Sequence, residues 1–275
     1  MGTGDILWLF FVIVALQPWL TQRMLIFARQ RKISQLQTRR NTQVITLVHR
    51  QETMRLLGFP LMRYIDLDDS EAVIRAIHMA GNDRPLDIVL HTPGGQVTAA
   101  LQIARALRAH PATVTVFVPH IAMSGGTLIA LAADRIVMFP HSMLGPIDPQ
   151  VGGFPAPSLA RVMHDKPIAE IDDNTVILAD VAEKATAQVR KAAAELLSRS
   201  LTADRAAAIA EALTSGRWTH DHPITALDAE GLGLPISQEM PEEVLELMAL
   251  YPQPSRVVPS VEYFPRPPVR PADRR

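Results

Sequence analysis

Cysteine is absent from this chain of 275 residues. Its absence excludes disulfide bridges, thiolate metal sites and a cysteine nucleophile. Aromatic residues make up only 5% of the chain, too few to supply rows of stacking platforms for single-stranded nucleic acid. Charge of one sign is not in excess either, since the formal net charge is −1. We therefore expect no nucleic-acid partner.

A long apolar run lies at the N-terminus. Residues 6–16 are all apolar, and after Gln17 and Pro18 the apolar character resumes up to residue 27. The unbroken part is shorter than the roughly 20 residues of a spanning helix, but transmembrane helices tolerate proline. We therefore expect a single-pass membrane anchor at residues 1–28, with membrane lipid as its partner. The alternative is an amphipathic helix that lies on the membrane or packs on a partner.

Basic residues follow the apolar run, at positions 23, 29, 31, 32, 39 and 40. By the positive-inside rule, this distribution predicts that the chain after the anchor lies in the cytoplasm. We interpret residues 29–41 as a basic linker between the anchor and a folded domain.

From residue 42 onward, predicted strands and helices alternate. Strands are expected at residues 43–48, 62–65, 86–90, 114–118 and 136–139, and a loop near the site at 145–157. Helices are expected at residues 72–79 with Asp68 as N-cap, at 97–109, directly after residue 124, at 175–198, at 203–213, within 223–234 and near 241–250. This alternation predicts an α/β domain with parallel strands over residues 42–250. Residues 251–275, rich in proline and arginine, are expected to form a disordered tail.

Two turns of the same build follow predicted strands. The first contains Gly94 and Gly95, and the second contains Ser124, Gly125 and Gly126. Glycines remove the Cβ atoms that would block a substrate, and the helix after each turn aims unpaired N–H groups at the same point. Together the turns would place a nucleophile beside oxyanion donors, so we interpret them as a serine hydrolase site and favour a peptidase. The alternative is that Ser124 serves only as a helix N-cap.

Further motifs accompany these turns, at residues 132–138, 144–149 and 178–185. With the turns, they resemble the ClpP/crotonase superfamily, and within it the SppA-like membrane serine peptidases and their serine dehydrogenase proteinase relatives. The resemblance implies a spiral of ββα units and a homo-oligomer. It also implies Ser124 as nucleophile and the backbone N–H groups of Gly95 and Gly125 as oxyanion donors. No dinucleotide fingerprint is present, and no cofactor is expected.

The general base is less clearly marked. In ClpP it is a histidine shortly after a Pro-His-Ser segment. This chain has that segment at residues 140–142, with His141 at its centre, but no histidine follows in residues 143–149. This departure from the ClpP pattern favours the Ser–Lys dyad of the SppA group.

Two lysines are candidates for the dyad, Lys166 in the predicted loop before the long helix and Lys184 within that helix. A dyad lysine must be neutral, which burial promotes because it lowers the pKa of an ammonium group. We favour Lys166 over Lys184, although a carboxylate at Asp165 keeps a neighbouring ammonium charged.

The remaining candidate cluster is His220-Asp221-His222, which we interpret as a surface pair rather than a metal site, because no third ligand follows at helical spacing. We expect peptides or membrane proteins as substrates. Two rival functions stay open at this point. One is a crotonase-like acyl-CoA enzyme that needs no serine, and the other is a non-catalytic oligomeric membrane scaffold.

Overall fold

The structure is a computed structural model that describes residues 3–49, 55–56, 59–60 and 63–251. In these ranges the helices are α1 (Thr3–Arg40), α2 (Leu67–Ala80), α3 (Val97–Ala109), α4 (Gly125–Leu131), α5 (Ala156–Asp165), α6 (Asp173–Leu197), α7 (Ala203–Thr214), α8 (Ala226–Leu232) and α9 (Glu242–Ala249). The strands are β1 (Gln43–Val48), β2 (Arg55–Leu56), β3 (Phe59–Pro60), β4 (Leu86–His91), β5 (Val114–Val118), β6 (Ile121–Ala122), β7 (Arg135–Met138), β8 (Met143–Leu144), β9 (Gln150–Val151), β10 (Phe154–Pro155), β11 (Ile224–Thr225) and β12 (Ile236–Ser237).

A five-stranded parallel sheet in the order β1-β4-β5-β7-β12 forms the centre of the domain. One row of paired residues across it consists of Ile45, Ile88, Val116, Ile136 and Ile236. β-Branched side chains suit the pleated surface, and a parallel sheet covered on both faces needs apolar residues throughout its strands. The predicted α/β class with parallel strands is confirmed.

A smaller three-stranded sheet in the order β11-β8-β6 lies beside the large one. The chain passes from β5 in the large sheet to β6 in the small one, and from β7 to β8 in the same way. Two successive strand pairs of the chain are thus divided between the two sheets. The spiral of ββα units that the resemblance implies stays a prediction.

The two faces of the large sheet have separate cores. On one face, residues from α2, α3, α4, α6 and α7 form the larger core. On the other face, Leu36 of α1 is fully buried with Val44, Phe117 and Leu247. Residues 29–41 are therefore not the linker that we predicted, because the C-terminal part of α1 is a packed helix that covers the sheet.

The N-terminal segment forms one continuous helix, α1, of 38 residues. Among the described residues, no helix is both long enough and apolar enough to cross a membrane. The predicted membrane-spanning anchor at residues 1–28 is thus not supported. The predicted disordered tail lies outside the described residues, apart from its first residue, Tyr251.

Other boundaries differ from the sequence prediction for local reasons. Helix α2 starts earlier than predicted, because Asp66 rather than Asp68 is its N-cap and forms a capping box with Asp69. Of the strand predicted at 62–65, the described part contributes only a bridge from Ile65 to Gly95. Helix α5 was not predicted; it begins directly after the β10 strand.

Candidate active site

The two glycine turns lie in contact, as the sequence predicted. Thr92 of the first turn forms a parallel bridge with Ala122, just before the second turn. The Met123 N–H donates to the Thr92 carbonyl at 3.1 Å. A Cβ atom built on Gly94 would lie 2.9 Å from the Cβ of Ser124, closer than real Cβ contacts come. Glycine at position 94 therefore lets the first turn rest directly against Ser124.

Ser124 joins β6 to α4 in a conformation that L-residues rarely adopt, with φ +49° and ψ −113°. Besides Ser124, Asn41 is the other non-glycine residue with positive φ in the described chain. Such a conformation costs about 1–3 kcal/mol and is typical of functional sites. The half-buried Ser124 side chain makes no capping hydrogen bond to α4, so its hydroxyl does not serve as the N-cap acceptor.

The first turn also orients the amide of Gly95. The Ile65 N–H donates to the Gly94 carbonyl at 2.8 Å, and the Gln96 N–H donates to the Ile65 carbonyl at 2.9 Å. Because the peptide unit is planar and trans, the Gly95 N–H points away from Ile65. A Cβ built on Gly125 would lie 3.5 Å from the Gly95 nitrogen, so the start of α4 is the neighbour on that side.

Two amide groups are thus available beside Ser124. In the loops and turns of the described ranges, neither the Gly95 N–H nor the Gly125 N–H donates a hydrogen bond. Gly125 is the first residue of α4, where an N–H has no partner within the helix. Donors of this kind can stabilise a developing oxyanion, and each is worth about 2.7–4 kcal/mol in known sites.

A histidine–carboxylate pair that the sequence interpretation missed lies at the same end of the small sheet as Ser124. His220 Nδ1 lies 2.9 Å from Asp148 Oδ1, and the Asp148 side chain is only 1% exposed. The second carboxylate oxygen accepts a hydrogen bond from Gln150 Nε2 at 3.0 Å. The hydrogen bond to Asp148 raises the pKa of His220 above its ordinary value, although partial burial opposes this shift.

The small sheet relates this pair to Ser124. β8 runs parallel to β6 and antiparallel to β11, so the ends of β6 and β8 and the start of β11 lie at the same end of this sheet. Ser124 follows β6 by two residues, Asp148 follows β8 by four, and His220 precedes β11 by four. Thr127 of α4 ties the segment after β6 to the segment after β8, because its hydroxyl oxygen accepts the Gly145 N–H at 3.0 Å.

A sequence model of ClpP-like SDH-type serine proteinases matches residues 3–275. The chain belongs to this family.

Two relatives from the archaeon Methanocaldococcus jannaschii are similar over nearly the whole chain of this family member. The uncharacterized protein MJ0137 is 48% identical over 260 residues, which cover 94% of this chain and 91% of that protein. The uncharacterized protein MJ1495 is 43% identical over 259 residues, which cover 94% of this chain and 88% of that protein.

Two proteases are among the solved structures that resemble this chain more weakly. ClpP1 from Listeria monocytogenes is 16% identical with a TM-score of 0.45, and the match covers 72% of this chain and 92% of that one. A mutant of the membrane-bound stomatin-specific protease 1510-N is 22% identical with a TM-score of 0.45, covering 67% of this chain and 79% of that one.

In this member of the ClpP-like family, both predicted dyad lysines are exposed. Lys184 forms an ion pair with Asp180 at 2.5 Å, one helical turn away on α6. Lys166 follows α5, and its neighbour Asp165 bonds to His164 at 2.8 Å. Within the described ranges, no hydrogen bond joins either lysine to Ser124. The Ser–Lys dyad stays a prediction.

The His-x-His pair does not face a common ligand position. His220 bonds to Asp148, whereas the ring of His222 stacks on Trp218 with 5.5 Å between ring centroids. No group of three or more metal-ligating side chains is found in the part of the chain that the structure describes.

Proposed function

We propose that this protein is a serine endopeptidase in which Ser124 attacks the peptide carbonyl. The observation that supports this proposal is the contact between the two glycine turns, which brings the Gly95 and Gly125 amides beside a serine with no capping role. Preorganised donors of this kind need no reorganisation as negative charge develops on the carbonyl oxygen. Membership of a serine proteinase family supports the same reaction.

For the proton acceptor, we propose His220, oriented by Asp148. With Nδ1–H donated to the carboxylate, the Nε2 atom is left to take the Ser124 proton and later to give it to the leaving amine. Asp148 also stabilises the imidazolium that forms, as the raised pKa of His220 indicates. The rival base is the lysine of a Ser–Lys dyad, either Lys166 or Lys184.

A set of variants separates these bases. Ser124→Ala and His220→Ala should each lower kcat on a fluorogenic peptide by at least about a thousandfold, whereas Lys166→Met and Lys184→Met should keep wild-type activity. Labelling with a fluorophosphonate, mapped by mass spectrometry, should modify Ser124. Loss of activity in one lysine variant while His220→Ala stays active would establish the dyad instead.

The same variants distinguish a peptidase from the two rival functions, an acyl-CoA enzyme and a non-catalytic scaffold. An acyl-CoA enzyme of the crotonase type would bind a CoA thioester and keep its activity in Ser124→Ala. A non-catalytic scaffold would show neither peptide hydrolysis nor labelling of Ser124, while keeping its assembly.

We also propose that α1 associates with a membrane, with the catalytic domain on the cytoplasmic side. Leu16, Leu20, Met24 and Phe27 recur along one side of the helix and are 47–73% exposed. An apolar stripe with nearby cations such as Arg23 suits an anionic lipid surface. In a flotation assay with anionic vesicles, the wild type should float with the vesicles, and the fourfold variant Leu16→Ser, Leu20→Ser, Met24→Ser, Phe27→Ser should not. Equal flotation of the two proteins would contradict the proposal.

The substrates that we propose are peptides or membrane proteins, and we propose a homo-oligomeric assembly. Sedimentation velocity of the full chain measures the assembly directly, and a single species with the mass of one chain at all concentrations would contradict it.

A further inference from the structure

A buried chain of polar contacts lies behind the first glycine turn. His49 directly follows β1, and its side chain is only 5% exposed. Its Nδ1 atom lies 3.0 Å from the Thr92 hydroxyl, and its Nε2 atom lies 3.1 Å from Asp69 Oδ2. The Gly94 N–H donates to the same Thr92 hydroxyl at 3.1 Å. The contacts thus run without a break from a carboxylate on α2 to the turn that touches Ser124.

For a neutral His49 imidazole, the donors and acceptors of this chain agree in one direction. A carboxylate only accepts, so His49 Nε2 carries the proton that faces Asp69. In the neutral imidazole, Nδ1 is then an acceptor, and the Thr92 hydroxyl donates to it. The Thr92 oxygen is left to accept the Gly94 N–H. The other acceptor within reach of the Thr92 hydroxyl, the Gly94 carbonyl, is more distant at 3.3 Å.

These contacts hold Gly94 on both sides, through its N–H in the preceding peptide and through its carbonyl in the peptide that carries the Gly95 N–H. Two consecutive glycines have more backbone freedom than any other pair, so the direction of the Gly95 N–H has to be fixed from outside the turn. Thr92 holds the Gly94 N–H, and Ile65 holds the Gly94 carbonyl at 2.8 Å. Asp69 is held in turn, because the Asp66 N–H donates to its Oδ2 at 3.1 Å.

We propose that His49 and Asp69 are positioning residues of the oxyanion-binding turn and act on it through the Thr92 hydroxyl. The proposal rests on the proposed peptidase function, since the Gly95 amide has to bind the oxyanion. None of the three side chains takes part in proton transfer. Their effect is to keep the Gly95 N–H directed at the position where the carbonyl oxygen of the substrate becomes negative.

Two conservative series in the full chain test this role. Thr92→Val removes the hydroxyl at nearly constant volume, and Thr92→Ser restores it. His49→Phe removes both ring nitrogens while keeping an aromatic ring. Thr115→Val is the matched control, because Thr115 is a buried threonine at the opposite, amino-terminal end of β5.

The first readout is amide hydrogen exchange, which needs no substrate. With only 14 glycines in the chain, isotope-labelled glycine resolves the Gly94 amide by NMR. Loss of its hydrogen bond should speed exchange of this amide by about tenfold in Thr92→Val, after correction for global stability, because one hydrogen bond is worth about that factor. His49→Phe should also speed its exchange, because the Thr92 hydroxyl that accepts the Gly94 N–H is then no longer held by the imidazole. Thr92→Ser and Thr115→Val should exchange like the wild type.

The second readout is the split between kcat and KM on a fluorogenic peptide. Because the oxyanion forms only after attack, Thr92→Val and His49→Phe should lower kcat by about tenfold or more and leave KM unchanged. If Thr92→Val and His49→Phe matched the Thr115→Val control in both Gly94 exchange and kcat, the positioning role would be overturned. Faster Gly94 exchange in these variants with the kcat of the wild type would overturn it too. A wild type without Ser124-dependent hydrolysis would instead overturn the peptidase function, so the two failures are distinct.

Discussion

Replacing Gly95 by alanine is the sharpest test of the proposed oxyanion site. A Cβ atom at this position would lie 2.3 Å from both the nitrogen and the oxygen of Ile65, and 2.7 Å from its Cα. These are backbone atoms, which cannot rotate away as a side chain does. The turn would therefore have to leave Ile65 and break the hydrogen bonds from Ile65 to Gly94 and from Gln96 to Ile65, now 2.8 and 2.9 Å long.

The cost follows from these contacts. Each lost hydrogen bond costs about 1 kcal/mol, and residual overpacking about 1–3 kcal/mol, so Gly95→Ala should lower the free energy of unfolding by about 3–5 kcal/mol. For a domain of this size the Tm should fall by roughly 6–20 °C. Because the Gly95 amide would also turn away from the site, kcat should fall by about 10²–10³.

Calorimetry measures the Tm, and kcat is measured on the folded fraction at a temperature well below it. The matched control is Gly231→Ala in α8, where a Cβ meets nothing within 4 Å. This control should be neutral or more stable by about 0.5–1 kcal/mol, since alanine favours the helix. A Gly95→Ala protein with the Tm and kcat of the wild type would refute the assignment of Gly95.

Three further predictions concern other parts of the chain. Arg199→Met should lower the free energy of unfolding by about 3 kcal/mol in denaturant titrations, because this guanidinium donates to carbonyls at the end of α3 and in the loop after it, and to the Asp134 carboxylate. Arg190→Met, at an exposed ion pair, should cost under about 1 kcal/mol. The apparent pKa on the acid side of the kcat/KM profile should lie above the ordinary pKa of histidine, because His220 must be neutral to act as base and its pKa is raised. Asp148→Asn should lower this apparent pKa, and an unchanged apparent pKa would exclude His220 as the base. Asp66→Ala should cost about 1 kcal/mol through loss of the α2 cap, read by the same denaturant titrations; no loss would contradict the capping role.

The central strands and both glycine turns were predictable because their signals are local. β1, α3 and β5 have the predicted boundaries, since continuous apolar runs and helical periodicity leave little choice there. The proximity of Gly94 to Ser124 followed from the repeated strand–turn–helix pattern. In the structure, a parallel bridge between Thr92, directly after β4, and Ala122, the last residue of β6, brings the two turns together.

Features that depend on packing were not predictable. The basic composition of residues 29–41 is typical of a linker, yet Leu36 is fully buried because the second face of the sheet needs a cover. The cap of α2 at Asp66 instead of Asp68 depends on where the preceding chain is held, next to the Gly95 turn. Helix α5 begins among prolines and glycines that predict a loop.

The sequence by itself determined the α/β class, the alternation of strands and helices along the chain and the two glycine turns, because each depends on residues close together in the chain. Only the tertiary structure decided which histidine–carboxylate pair lies at the same end of the small sheet as Ser124. His220 and Asp148 are 72 residues apart, and the motifs in which they stand give no sign that they pair. They meet because β11 pairs with β8, a contact between distant segments that local patterns in the sequence do not encode.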